Sequence, residues 1–60
     1  MTENDIVLTE QFINIPIQNA MCSSEVRAGR LDDALTHAEA IIRHGIALRM
    51  QLENLGAKPK

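Results

Sequence analysis

The sequence predicts a mainly α protein. A short N-terminal extended arm or strand leads into a short helix over about residues 17–27 and a long C-terminal helix over about residues 31–55, and the two helices form a hairpin that pairs with a second copy of itself. Three observations predict this. An unbroken apolar stripe recurs at helical spacing from Leu31 to Leu55, Gly29 separates two helix-compatible stretches, and residues 6–17 alternate with a period of two.

In the N-terminal element, Ile6 and Leu8 alternate with Val7 and Thr9. Ile13, Ile15 and Ile17 then fall on one side of a pleat, with Phe12, Asn14 and Pro16 on the other. Pro16 has no backbone donor, so a strand here lies at an edge or ends near that residue. A lone strand must pair with another subunit or a partner's sheet edge, or lie as an arm on the helix. The competing reading places Pro16 in the first turn of a helix through Ile17, Ala20, Met21 and Ser24, with Ile13 and Ile15 stapling its start.

Over residues 18–29, helical spacing competes with Asn19, Ser23 and Ser24, whose side chains bond readily to nearby backbone and favour caps and turns. Gly29 suits a left-handed stop, which leaves a connection short enough for a hairpin. In the long helix, Asp32 and Asp33 put negative charge where the helix dipole favours it, and Gly56 followed by Pro59 closes the far end.

Counting in sevens from Leu31 gives Leu31, Ala38, Gly45 and Leu52 at one seam position and Ala34, Ile41, Leu48 and Leu55 at the other. Leu35 and Ile42 widen the stripe, so that it can face two neighbours. Small residues at its middle and leucines at one end suit an antiparallel partner whose large side chains lie over the small ones. Gly45 costs about 1 kcal/mol relative to alanine inside a helix, which packing must offset unless a kink falls there.

Sixty residues form a single small domain, residues 1–60, with 1–5 and 57–60 expected to be flexible. A domain of this size buries only roughly 60% of the surface of its unfolded chain. One cysteine, Cys22, cannot form an internal disulfide and reads as a small hydrophobe in a reducing, cytoplasmic setting. Oligomerisation is the remaining support for a thin core. The acidic start, Thr2-Glu3-Asn4-Asp5, is unlike a signal peptide, and no stretch is apolar for long enough to span a membrane.

Composition removes several function classes. A formal charge of −2 disfavours nucleic acid as a partner, and Phe12 as the sole aromatic leaves nothing on which bases or sugars would stack. No nucleophile, acid–base pair or glycine-rich phosphate loop is recognisable, so no catalytic residue and no cofactor is expected. Asp33, His37 and His44 lie along one side of the helix, but the histidines are two turns apart, about 10 Å by helical rise, too far for one ion. They read as a solvated flank with an Asp33–His37 pair, and Glu39–Arg43 as an ion pair on the wet face. Arg27, Arg30, Arg43 and Arg49 are the candidate partner contacts, against the alternative of simple solvating charge.

Residues 26–38, Val26-Arg27-Ala28-Gly29-Arg30-Leu31-Asp32-Asp33-Ala34-Leu35-Thr36-His37-Ala38, followed by Ile41-Ile42, resemble a family of small proteins of proteobacteria and their phages. The resemblance covers about a third of the chain and implies an accessory protein without catalysis, one that docks on a host protein and blocks it. Gly29 to Leu35 also resembles half of a tetratricopeptide repeat, although an array needs neighbouring copies that this chain does not hold. The expected function is thus a homodimeric interaction module, a regulator or inhibitor that also contacts a further protein. The alternative is a ribbon-helix-helix DNA binder, for which the length fits but the strand over 6–17 lacks any Lys or Arg.

Overall fold

The computed structural model describes residues 2–58, apart from the side chain of Asn4. Two helices make up the fold: α1, Glu3–Arg27, and α2, Leu31–Asn54, packed against each other as a helical hairpin.

The start of α1 is set locally. The Asp5 backbone N–H donates to Thr2 Oγ1 at 3.2 Å, and the Thr2 backbone N–H donates to Asp5 Oδ2 at 3.2 Å, a capping box in which each residue satisfies an otherwise orphaned donor. The cap lies within the stretch expected to be flexible. These bonds hold the Asp5 carboxyl below the ordinary aspartate range, the Thr2 hydroxyl, which donates at 2.8 Å, acting most.

From there α1 runs without a break to Arg27, and this corrects the expectation for residues 6–17. No extended arm or strand exists there, and the helix expected over 17–27 is 25 residues long. Leu8, Gln11, Ile15, Gln18 and Cys22, at spacings of three and four, face α2, whereas Ile6, Ile13 and Ile17 of the period-two pattern are exposed. Pro16 lies inside the helix and cannot donate to the Phe12 carbonyl. With residues 6–17 helical, the ribbon-helix-helix alternative lacks its strand.

Both helices end in the same motif. Gly29, at φ +78°, lets its own N–H reach the Val26 carbonyl at 3.1 Å and the Arg30 N–H reach the Glu25 carbonyl at 2.9 Å. Gly56, at φ +100°, repeats the pattern on Glu53 and Leu52. These are Schellman ends, which satisfy carbonyls the helix leaves open and need a left-handed residue that glycine adopts without strain. Gly45 does not divide the long helix; α2 is continuous through it.

The hairpin has almost no core. Its principal extents are 41 × 27 × 14 Å. Among the described residues only Ala34 and Ala40 are buried apolar residues, and no large side chain is fully buried. No helix of the described residues is long and apolar enough to cross a membrane.

Candidate interaction surfaces

The contact between the helices alternates polar and apolar layers. His37 Nδ1 lies 2.7 Å from Gln18 Oε1, and His44 Nδ1 lies 2.7 Å from Gln11 Oε1. An amide oxygen only accepts, so each Nδ1 carries the proton and donates. Between and beyond these layers, the same register sets Leu8 beside Leu48 and Ile15 beside Ile41, all four half-buried, while the Cys22 thiol donates to the Ala34 carbonyl at 3.3 Å.

The ladder closes at the bend. Arg30 Nε and Nη2 donate to both Glu25 carboxylate oxygens, at 2.5 and 3.1 Å. The arginine fork holds the Glu25 carboxyl below the ordinary glutamate range against a smaller desolvation effect, with Arg30 and His37 charges assisting. Glu25 in turn raises Arg30 further above its ordinary value.

The layers rest on a shared spacing. Gln11, Gln18 and Glu25 are seven apart on α1, and His37, His44 and Gln51 are seven apart on α2, so one antiparallel register brings 11 to 44, 18 to 37 and 25 to 30 together. Gln51 Oε1 is buried without a hydrogen-bond partner among the described residues.

These contacts correct the expected solvated flank: His37 and His44 are half-buried and held from across the hairpin, and His37 is bonded to Gln18 where Asp33 was expected. Sequence reading overlooked Gln11 and Gln18, although their spacing matches that of the two histidines. Glu39–Arg43 is not among the ion pairs of the described residues, which are Arg30–Glu25 and an i, i+4 pair, Arg49–Glu53, at 3.4 Å. Of the expected partner contacts, Arg30 and Arg49 are therefore engaged internally, whereas Arg27 and Arg43 are exposed and outside those pairs.

The apolar stripe of α2 divides. Ala34, Ala38, Ile41, Gly45 and Leu48 are buried or half-buried along or beside the contact with α1, whereas Leu31, Leu35, Ile42, Leu52 and Leu55 are exposed. α1 carries an exposed stripe of its own in Ile6, Ile13, Ile17 and Met21.

The two exposed stripes occupy opposite sides. At about 100° per residue, the α1 isoleucines fall roughly 145° from the α1 contact line in one rotational sense, and Phe12 roughly 90° in the other. Leu31, Leu35 and Ile42 fall roughly 120° from the α2 contact line, in the same sense as Phe12. Equal senses on antiparallel helices point to the same side of a hairpin. The α2 stripe and Phe12 thus share one face, and the α1 isoleucine stripe forms the other.

A shallow depression at the bend is lined by Gly29, Arg30, Leu31, Asp32 and Asp33. Its two aspartates oppose an anion at the α2 N-terminus. Among the described residues, no three of His, Cys, Asp and Glu converge as metal ligands would. Comparison with protein-family models, with curated proteins and with solved structures gave no match.

Proposed function

We propose that this helical hairpin is a non-catalytic interaction module, a regulator or inhibitor that works as a homodimer and occludes the surface of another protein, in the manner of small bacterial and phage accessory proteins. The observation that carries the reading is the inversion of side chains. Polar Gln11, Gln18, His37 and His44 meet between the helices, while large apolar residues such as Ile13, Ile17, Leu35 and Ile42 stand exposed. Contiguous exposed apolar surface marks contact with another macromolecule.

Two faces allow a division of labour. The α2 face serves self-association, and Ile6, Ile13, Ile17 and Met21 of α1 form the surface offered to the foreign protein, with exposed Arg27 as a polar contact near one end. Arg43 and Arg49 lie on α2 and serve the rim of the assembly.

Light scattering over a concentration series, with circular dichroism on the same samples, tests self-association. The expected mass is twice 6.7 kDa with high helicity, and a helical monomer at every concentration would remove the homodimer. Affinity capture with the wild-type chain and with Ile13→Glu/Ile17→Glu tests the second face. A target retained equally by both chains would refute the assignment of that face.

A further inference from the structure

We infer that a second copy of the chain seats on the outer face of α2, antiparallel to it, with Ala38 lying under the partner's Ile42 and Gly45 under the partner's Leu35. This deepens the homodimer reading above and rests on it.

The surface area sets the scale of what is missing. A compact protein of this mass exposes about 3,900 Å² by the usual mass scaling, whereas the hairpin exposes 4652 Å². The excess, about 750 Å², is close to the roughly 800 Å² that each partner buries in a stable interface of standard size. One further copy of this chain is therefore enough to cover it.

The outer face of α2 has the pattern to receive that copy. Positions 31, 35, 38, 42, 45, 49 and 52 follow spacings of four and three, and all but Arg49 are apolar or glycine. This second seam is distinct from the internal one through 34, 37, 41, 44, 48 and 51. A helix with two such seams contacts two neighbours, as in a four-helix bundle.

Gly45 points the same way. A Cβ built on it meets nothing within 4 Å, so nothing in its own chain requires a glycine. Alanine would favour the helix, and the open position is accounted for by a large side chain arriving from outside.

Antiparallel pairing centred near residue 40 places large over small at both inner layers. It also brings Arg49, whose side chain is 71% exposed, to the acidic first turn of the partner's α2, which holds the partner's Asp32. The opposite charges meet at each end of the seam, because the two-fold axis repeats the contact. A parallel pair would instead stack Gly45 on the partner's Gly45 and Arg49 on the partner's Arg49.

Spin labels read this arrangement directly. In a chain carrying Cys22→Ser, a label at Glu39→Cys lies near the two-fold axis and couples to its own copy at short distance. A label at Asn54→Cys is separated from its copy by about 42 Å of helical rise. In parallel, Gly45→Leu is expected to leave the hairpin helical and to raise the dimer dissociation constant at least tenfold.

Short coupling at 39 with long separation at 54, together with a weakened Gly45→Leu dimer, establishes the seam. A dimer in which both labels are close, or in which Gly45→Leu leaves association unchanged, overturns this seam while self-association stands. Absence of any intermolecular coupling, with a monomeric mass, overturns both. Should Gly45→Leu fail to fold, the two label distances alone decide.

Discussion

Replacing Gln11 by leucine removes the acceptor of the His44 Nδ1–H, which now lies 2.7 Å from Gln11 Oε1. Gln11 is only 7% exposed, so the new side chain is covered and no water takes the place of the amide. The imidazole is left with an unpaired donor in a half-buried setting, for which a cost of about 1–2 kcal/mol is appropriate. His44→Leu alone strands the glutamine amide in the same way. With both leucines present neither polar group remains, and replacing both partners of a bond by apolar groups is near neutral or stabilising.

With each single variant costing that much and the double variant close to zero, the expected coupling energy of the Gln11→Leu/His44→Leu cycle is about 2–4 kcal/mol, equivalent to roughly 8–32 °C in Tm for a domain of this size. Thermal and urea unfolding followed by circular dichroism, at one fixed protomer concentration, measures it, since the midpoint of a dimer depends on concentration. Gln11→Leu/His37→Leu is the control. Those residues occupy layers a heptad apart, about 10 Å by helical rise, and their effects should add to within about 0.5 kcal/mol. Additivity in the 11/44 cycle, or equal coupling in the control, would refute the alternating-layer reading of the hairpin.

Gly29→Ala is expected to lose about 1 kcal/mol in the same unfolding assay: nothing crowds the new Cβ, and the whole cost comes from holding alanine at φ +78°. Pro16→Ala restores a donor to the Phe12 carbonyl and should gain on the order of 1–3 kcal/mol, seen as a higher urea midpoint; no gain would mean that the missing donor costs the helix nothing at that position. Glu25 has a lowered folded pKa, so its pairing with Arg30 stabilises the hairpin above the ordinary glutamate range and is lost as pH falls through the lowered folded value. Glu25→Gln should therefore be less stable than wild type near pH 7 and converge with it in acid, read from urea midpoints across pH; a constant difference at all pH values would exclude that origin.

Several features of this molecule were legible one segment at a time. The long helix, its acidic first turn and both glycine ends follow from local rules, because a left-handed stop and an apolar stripe at helical spacing need no knowledge of the rest of the chain. The candidate site was legible only in part. Leu31, Leu35, Ile42 and Leu52 were recognised as one stripe with Ala34, Ile41 and Leu48, yet a helix alone does not say which edge of a wide stripe its hairpin partner takes.

The tertiary structure decided the two matters that depend on a neighbour. Residues 6–17 alternate with the apolar period of a strand, yet they are helical despite Pro16, with Leu8, Gln11 and Ile15 turned toward α2 and Ile6, Ile13 and Ile17 left exposed. Gln11 and Gln18 read as ordinary surface residues, and His37 and His44 as a flank, until one antiparallel register sets them against each other. The reason is physical: spacing along a chain determines which residues share a face, whereas a hydrogen bond between two faces exists only once the opposing face, and its register, are in place.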